Sequence, residues 1–535
     1  MAQHAISVAN GETQSKIYDV VKDGVTGITP DNMKEINVQS IINGVNLTFT
    51  EPDDTIIDGQ TICSVRGVRV VMKEETPPKD ENDGTLILEN EELGKYSETP
   101  YEVRNLSTDK TYYFGFFPYS VHDVFNRNAK NIKEAVVKPQ VLYGFKIDKT
   151  DPNPSTRITY LEQAVGMTPA HMDFYTHQFD YGDWNPDEVF FLKNNKPFMV
   201  NSDGTPAYEL DENDYTKKLD GTTSDVANTA FDGNAMAKME TVWLYQYEDE
   251  QYEYCYISDV KIDDNYHAYA HERADGTIMN YIWLSMFKGS NVTASGGVSD
   301  KVRSIKGLDP AIGSSSTSIM LERIKANGDL WDCRTWSQRN LINMLLYLMF
   351  KSDNLQEALG RGYHCDTYSS TIRLSTGGAF DKGRFYGSTE NCDYVKVFHM
   401  ENWWGDSPEW VKGILYIDRK VFVKMTPPYS ITGEGFHNTD LRFSGSVAGY
   451  IDQTSMSQYG RIGYSAKGSG STYACDSLVF NTDSLDNGTA YGVTIGGYRS
   501  WEQQCGPLCM DARRNSNSIY DWANISLSCE EPEST

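Results

Sequence analysis

One apolar helix-forming run, in a chain otherwise made of short strand-like segments, constrains the fold most. Trp336–Phe350 carries apolar residues on nearly every side of a helix. A helix of this kind is expected to be buried all round, so we interpret it as a structural core helix. Asp332 or Thr335 could cap its start, and Lys351 suits its C-terminal end.

Length and charge limit the possible classes of protein. A chain of 535 residues exceeds one core, and usual domain sizes predict roughly three or four units. Its 34 Tyr and 43 Gly favour β-rich, turn-rich architecture. The formal charge of −27, with no long basic stretch, argues against nucleic acid as a partner.

The nine cysteines do not form a disulfide framework, since none lies in a Cys-x-x-Cys pair. Cys505, Cys509 and Cys529 are interpreted as buried free thiols, with a disulfide among the three as the alternative. The sequence contains no EF-hand loop and none of the calcium signatures of sugar-binding lectins, so no cofactor is expected. The sequence does not decide whether the protein requires calcium. It also shows no secretory signal and no apolar stretch long enough to cross a bilayer.

Alternating apolar residues near the N-terminus predict short strands separated by polar turns. The segments that predict strands are 45–49, 68–72, 85–88 and 111–119. Strands at this spacing predict a small antiparallel β-sandwich. Residues 1–35 are polar and mixed, and we interpret them as an attachment segment or linker.

The same region resembles a fibronectin type III-like module common in phage structural proteins. Four pieces carry the resemblance, in the order Leu47–Asp54, Gly67–Lys73, Asp83–Ile87 and Thr111–Tyr119. The resemblance implies a fibronectin type III-like β-sandwich over 36–135 that serves as a spacer. It also implies that the N-terminal region contacts other virion proteins.

The middle of the chain resembles the transition into a large phage tail-protein domain. Asp151–Pro154, Arg157–Tyr160 and Ala164–Pro169 carry this resemblance. It implies a β-rich region over 136–320, either separate from the C-terminal unit or part of it. His399, close to Glu401 and Trp403, could indicate a site, but we interpret it as a hydrogen-bonded core residue.

The stretch Ile495–Cys529 resembles the C-terminal variable region of proteins that diversity-generating retroelements diversify. The positions that match the framework of that family are Gly496, Gly497, Trp501, Gly506, Pro507, Ala512, Ser516, Ser518, Trp522, Leu527 and Ser528. The resemblance implies a large α+β C-type-lectin-like domain over 321–535, with a variable region at about 495–529. Two departures from the family, at Glu502–Gln504 and Asn524–Leu527, leave open which positions vary.

Between the framework positions stand bulky or polar residues that a protein core would rarely use. Tyr and Arg among them are typical of binding hot spots, and a rigid backbone would lower the entropy cost of binding. The predicted ligand-binding residues are Tyr498, Arg499, Glu502, Gln503, Gln504, Arg513, Arg514, Asn515, Tyr520 and Asp521.

The resemblance implies a virion protein, made in the cytoplasm of the host bacterium, that binds a glycan or protein receptor on the host surface. Relatives imply a homotrimer, whose avidity would strengthen weak single contacts. One alternative is a virion structural or decoration protein, and another is a polysaccharide-degrading tail enzyme. The chain lacks Gly-x-Ser-x-Gly, His-Glu-x-x-His and phosphate-binding loops, so we expect no enzyme. The C-terminus could also be a polar, loop-rich end of an unrelated β protein.

Overall fold

The computed structural model describes most of the chain from residue 28 to residue 533. The gaps in the described chain are 42–43, 58, 105, 108–109, 137–140, 294–298, 312–315, 365–373, 391, 446–447, 481–487, 502–503 and 519–522. The chain forms two compact units, Met1–Gln140 and Val141–Thr535, where chain length predicted three or four. Most of the predicted attachment segment lies outside the described residues.

The first unit is an antiparallel β-sandwich. Its strands are β1 (Glu35–Ile41), β2 (Gly44–Thr50), β3 (Thr55–Ile57), β4 (Gln60–Cys63), β5 (Val65–Glu74), β6 (Thr85–Asn90), β7 (Tyr101–Arg104), β8 (Thr111–Ser120) and β9 (Ile132–Val136). One sheet has the order β1-β2-β7 and the other β6-β5-β8-β9, with β3 and β4 as a separate hairpin. A 3-10 turn, Ala129–Asn131, precedes β9.

Alternation along the strands explains why the two sheets pack together. Val45, Leu47 and Phe49 of β2 are all buried, and the polar residues between them face outward. Phe49 lies 5.3 Å from Phe116 of β8, measured between ring centroids, and so joins the two sheets. The predicted strands at 45–49, 68–72, 85–88 and 111–119 are therefore confirmed.

The second unit is also β-rich. Its strands up to residue 303 are β10 (Leu142–Asp148), β11 (Ile158–Glu162), β12 (His171–Asp173), β13 (Gln178–Asp180), β14 (Pro197–Asn201), β15 (Pro206–Asp211), β16 (Asp214–Lys218), β17 (Gly233–Glu240), β18 (Trp243–Glu248), β19 (Tyr252–Ser258), β20 (Tyr281–Ser285), β21 (Ser290–Thr293) and β22 (Ser299–Arg303). The one-turn helix α1 (Phe190–Lys193) and the 3-10 turn Tyr269–His271 interrupt them.

In the described residues that follow, there are three more helices and fourteen strands. The helices are α2 (Thr317–Lys325), α3 (Trp336–Phe350) and α4 (Leu355–Ala358). The strands are β23 (Trp331–Cys333), β24 (Lys396–Val397), β25 (Met400–Glu401), β26 (Glu409–Ile417), β27 (Lys420–Val423), β28 (His437–Arg442), β29 (Ser444–Gly445), β30 (Ala448–Tyr450), β31 (Gln453–Ser457), β32 (Gly460–Ala466), β33 (Ser477–Phe480), β34 (Ala490–Ile495), β35 (Met510–Asn515) and β36 (Leu527–Glu530).

Two seven-stranded sheets organise the second unit. The first has the order β16-β15-β14-β17-β20-β36-β23, and the second β28-β27-β26-β34-β35-β33-β30. The C-terminal strand β36 pairs with β20 on one side and β23 on the other. Residues on both sides of the predicted boundary at 320 therefore share one sheet.

Buried ion pairs join the same two parts of the second unit. Arg461 Nε lies 2.7 Å from Glu253 Oε2, and Arg461 Nη2 lies 3.0 Å from Asp353 Oδ2. Arg157 Nη1 reaches the same Asp353 oxygen at 3.0 Å. Because charges away from water need close partners, these contacts tie the middle of the chain to its C-terminal part.

The core helix is confirmed with the bounds that the sequence predicted. All fifteen residues of α3 are buried. Thr335, rather than Asp332, is the N-cap: its hydroxyl accepts from the N–H of Gln338, and the Gln338 side chain accepts from the N–H of Thr335. Lys351 ends the helix in the left-handed conformation at φ 51°.

Candidate ligand-binding surface in the C-terminal segment

Six of the ten predicted binding residues belong to the described part of the chain. They are Tyr498, Arg499, Gln504, Arg513, Arg514 and Asn515. The other four, Glu502, Gln503, Tyr520 and Asp521, lie outside the described residues, as does the predicted framework residue Trp522.

Tyr498 and Arg499, which the sequence predicts to bind a ligand, both have buried side chains. Tyr498 is 4% exposed and Arg499 is 1% exposed. Gly496 and Gly497 adopt φ values of 101° and 77°, a turn that favours glycine and directs the chain inward. The N–H of Arg499 then donates to the Asp406 carbonyl at 3.1 Å.

The buried Arg499 guanidinium lies beside its neighbour's ring. Its central carbon is 5.2 Å from the centroid of the Tyr498 ring. Among the described residues, none of its three nitrogens has a hydrogen-bond partner. Residue type alone could not reveal this position, since Arg and Tyr are common both at binding surfaces and in aromatic packing.

Arg513, Arg514 and Asn515 form the end of β35 and reach the surface. In register, Asn515 pairs with Tyr491 and Arg514 with Gly492 of β34. Arg514 and Asn515 are exposed, and the Arg513 side chain keeps 38% of its surface exposed. These residues therefore lie at the end of β35 that pairs with β34, beyond the residues 510–512 that also pair with β33.

Arg513 is held in place by two neighbours. Its Nη2 lies 2.7 Å from Asp511 Oδ2, and its guanidinium lies 5.5 Å from the Trp501 ring centroid. Trp501, which the sequence assigned to the framework, is half-buried beside Arg513. We define the exposed patch as Trp501, Arg513, Arg514 and Asn515.

Backbone hydrogen bonds hold the turn that precedes the patch. The N–H of Gly405 donates to the Gly496 carbonyl at 2.9 Å, and the N–H of Gly496 donates to Cys509 at 3.0 Å. The buried Asp476 carboxylate accepts from the N–H of Leu508 at 2.6 Å. The non-repetitive chain around Gly496 and Leu508 therefore has satisfied backbone groups, as a rigid loop requires.

Trp403 connects this turn to the core helix. The Arg339 guanidinium lies 3.8 Å from the Trp403 ring centroid and donates to the Trp403 carbonyl. The Trp403 indole N–H donates to Asn343 Oδ1 at 2.9 Å, and Asn343 Nδ2 donates to the Pro507 carbonyl at 3.0 Å. Side chains of α3 thus fix the position of residue 507.

One buried carboxylate balances several cations beneath the same turn. Glu409 Oε2 lies 2.7 Å from Arg334, 3.7 Å from Arg339 and 3.9 Å from Lys288. Burial alone would raise the pKa of Glu409, but the three cations hold it below its ordinary value. Burial lowers the pKa of Lys288 to about 8, although Glu409 opposes the shift. The cluster is held together only while Glu409 is charged.

Asn524 is a structural residue whose role the sequence did not indicate. Its Nδ2 donates at 2.8 Å to the carbonyls of both Gly289 and Ala311, and its Oδ1 accepts from the N–H of Gly289. Its backbone N–H donates to Pro408, and its carbonyl accepts from Trp410. The asparagine at this position thus joins three distant segments. The sequence around Asn524 does not indicate these contacts.

The cysteines of this region are free, so the alternative of a disulfide among Cys505, Cys509 and Cys529 is wrong. All three are buried, and burial raises the pKa of each thiol. A protonated thiol is a poor nucleophile. Elsewhere in the unit, Cys392 is disulfide-bonded, which the sequence interpretation missed.

His399 is a hydrogen-bonded core residue, as predicted. Its Nδ1 lies 2.8 Å from the Tyr215 hydroxyl and its Nε2 lies 3.1 Å from the Asn195 carbonyl. Burial and the nearby Arg384 hold the pKa of His399 well below its ordinary value. In the described chain, no group of three or more His, Cys, Asp or Glu residues is placed to hold a metal ion.

Comparison with known proteins adds no relative. No protein-family model matches the chain, and no curated protein matches it significantly. The two named domain types and the role in host binding therefore stay predictions. Within the described residues, no helix is both long and apolar enough to cross a membrane.

Proposed function

We propose that this chain is a virion adhesin of a tailed bacteriophage that binds a host-surface receptor through its C-terminal segment. The proposal includes a fibronectin type III-like spacer and a C-type-lectin-like binding unit diversified by a retroelement. It also includes a homotrimer attached to other virion proteins through the N-terminal region.

The observation that carries the proposal is the contrast between a tightly held backbone and an exposed set of side chains. Gly496, Pro507 and Asn524 are each hydrogen-bonded to other parts of the unit. Arg514 and Asn515 stand in solvent at the end of β35. A fixed backbone that presents exchangeable side chains lowers the entropy cost of binding.

The chemistry of the exposed patch also suits recognition. Arg514 places an exposed positive charge on a protein whose net charge is −27, while Arg513 is paired with Asp511. The planar guanidinium group binds carboxylates and phosphates through paired hydrogen bonds, and Trp501 adds a large apolar contact. A receptor with acidic groups, whether a glycan or a protein, would be attracted to this patch.

The direct test is adhesion of the fluorescently labelled full chain to cells of strains that the phage infects, measured by flow cytometry. Arg514→Ala and Asn515→Ala should each weaken adhesion, while Lys217→Ala, an exposed substitution outside the patch, should leave it unchanged. If the full chain binds no susceptible strain although virions still adsorb, the proposal fails. A virion structural or decoration protein then becomes the better assignment.

Deep sequencing of the coding region from residue 498 to 521 in a propagated phage population provides a second test. The proposal predicts substitutions concentrated at adenines, with Gly496 and Gly497 constant. Among the described positions, variation should be greatest at Arg513–Asn515, because exposed side chains tolerate exchange better than buried ones. Uniformly low variation across this region would contradict retroelement diversification.

A further inference from the structure

A second set of side chains with the character of a binding surface lies far along the chain from the exposed patch. The four-stranded sheet β11-β10-β19-β18 turns one face toward solvent. The tyrosines of this face, here called the tyrosine face, are Tyr245, Tyr247, Tyr252, Tyr254 and Tyr256. All are partly exposed, whereas the residues that alternate with them, such as Cys255 and Ile257, are buried.

The rings form one ordered array. Tyr247 and Tyr254 pair directly across β18 and β19, with ring centroids 4.7 Å apart and planes within 9°. Tyr245 lies 4.8 Å from Tyr247 at 27°, and 6.0 Å from Tyr256 at 23°. Tyr252 adds an edge contact with Tyr254 at 6.0 Å. Cross-strand stacking of this kind makes the side chains rigid, so a ligand would lose little entropy in fixing them.

The neighbouring strand leaves room for the array. Gly144 of β10 pairs with Tyr256, and a Cβ at Gly144 would lie 3.0 Å from the Tyr256 ring and 3.1 Å from Leu161. A larger residue there would push the ring out of its place. The glycine thus allows the aromatic surface to extend over β10 toward β11.

The charges around the face select against ionic ligands. The Tyr254 hydroxyl donates to Asp249 Oδ2 at 2.9 Å, and Asp148 lies opposite Tyr252 in the sheet register. Carboxylates at this end repel an anionic polymer. A cation already occupies the site next to Tyr252, since Lys146 Nζ lies 3.8 Å from its ring centroid and would repel a second one.

The hydroxyls of Tyr247 and Tyr254 stay protonated at neutral pH. Partial burial and the neighbouring Tyr256 hydroxyl raise the pKa of Tyr247 to about 12. Partial burial and the Asp249 carboxylate raise the pKa of Tyr254 to about 12. Uncharged phenols offer an apolar ring and a polar hydroxyl to the same ligand.

We propose that the tyrosine face is a glycan-binding surface that takes an uncharged oligosaccharide chain. The C–H groups of sugar rings pack against aromatic carbons, and sugar hydroxyls exchange hydrogen bonds with the phenols. The carboxylates at this end disfavour an acidic polymer, and Lys146 already occupies the cation position on the Tyr252 ring. This site is separate from the exposed patch and does not depend on the adhesin role of that patch.

The experiment uses the full chain and four neutral probes: maltohexaose, cellohexaose, xylohexaose and mannohexaose. Hexagalacturonate and hexalysine serve as the anionic and cationic probes. Binding is detected by saturation-transfer NMR and quantified by calorimetric titration. We expect at least one neutral hexaose to bind, and neither charged probe to compete with it.

Variants locate the binding. Tyr247→Ala and Tyr254→Ala should each weaken the binding of that hexaose about tenfold or more, as loss of a well-packed aromatic contact does. Tyr247→Phe keeps the ring and the fold, so it should bind with an affinity between those of wild type and Tyr247→Ala. Tyr175→Ala, at a tyrosine that is 94% exposed on the β12–β13 hairpin, and Arg514→Ala should bind as wild type does.

Three outcomes would overturn this inference. The first is the absence of binding to all four neutral hexaoses. The second is binding that Tyr247→Ala, Tyr247→Phe and Tyr254→Ala leave unchanged. The third is binding of only hexagalacturonate or only hexalysine, which would assign the face to a charged partner.

Discussion

Among the described residues, buried Arg and Lys side chains lie in the second unit, whereas the buried charged residues of the sandwich are the carboxylates Glu51 and Glu81. The core of the sandwich consists of apolar side chains such as Leu47, Val70 and Phe114. The interior of the second unit also contains several charged groups, including Arg339, Glu409 and Arg461, each fully buried. Both units are β-rich, so the difference does not come from strand content.

The difference follows from how each unit satisfies its backbone. Most of the sandwich backbone pairs in regular ladders, so few buried polar side chains are needed to complete its hydrogen bonds; Glu51, which accepts from the N–H of Gly94, is one of them. The second unit contains long non-repetitive segments, and buried side chains complete their hydrogen bonds. Arg339 donates to the Trp403 carbonyl, and Lys396 donates to the Ala379 carbonyl. Buried polar groups here replace missing strand partners, and their removal should cost more than the removal of exposed ones.

The largest expected effect comes from breaking the buried cluster. Glu409→Gln leaves Arg334, Arg339 and Lys288 without their counter-charge. We expect the free energy of unfolding of the second unit to fall by about 3–5 kcal/mol. Calorimetry or denaturant titration of the full chain, with the transitions of the two units assigned, measures the loss.

A matched ion pair in the sandwich provides the control for Glu409. Glu89 pairs with Arg69 at 2.9 Å, but its side chain is 40% exposed. Glu89→Gln should therefore cost less than about 1 kcal/mol. Equal losses for the two variants would contradict the proposed difference between the units.

The next largest effect is expected from removing a buried side chain from the apolar core of the sandwich. Leu47→Ala removes a fully buried side chain from the apolar core and should cost the sandwich about 2–5 kcal/mol. Leu86→Ala, at a leucine of β6 that is 51% exposed, should change stability by less than about 0.5 kcal/mol. The same unfolding measurement applies, and similar losses for both leucines would show that burial does not control stability here.

A smaller effect should appear as pH dependence in the second unit. Burial lowers the pKa of His271 from 6.5 to about 4. Between these values the unfolded chain binds a proton that the folded chain does not, so stability is lost as pH falls from 6.5 toward 4. The contribution amounts to about 3 kcal/mol at most.

The histidine contribution is isolated by difference. His271→Gln should flatten the pH dependence of the free energy of unfolding of the second unit between pH 6.5 and about 4. The acidic residues are the same in wild type and variant, so their contributions cancel in the difference. His122→Gln, at an exposed histidine of the sandwich, is the control and should leave the profile unchanged. Identical profiles for wild type and His271→Gln would show that His271 does not titrate on unfolding.

The smallest expected change in stability is at the exposed patch. Arg514→Ala should alter the free energy of unfolding by no more than about 0.5 kcal/mol, because the side chain is exposed. The same substitution should weaken adhesion to host cells. A large loss of stability would instead make Arg514 a structural residue, and any loss of adhesion would then have no bearing on binding.

The sequence by itself determined the local elements. Alternation predicted the strands that contain Val45 and Val68, because every second side chain of a strand faces the same side. The continuous apolar surface of Trp336–Phe350 predicted a buried helix, and Thr335 carried the capping signal. These properties depend on neighbours within a few residues, so a single sequence can reveal them.

Only the tertiary structure decided which polar residues are buried and what they contact. Tyr498 and Arg499 look like surface residues by type, yet they lie inside the unit, while Arg514 of the same segment is exposed. Asn524 contacts Gly289, which lies 235 residues earlier in the chain. Burial and hydrogen bonding depend on segments that meet only after folding, and the residue type of one position carries no information about such distant partners.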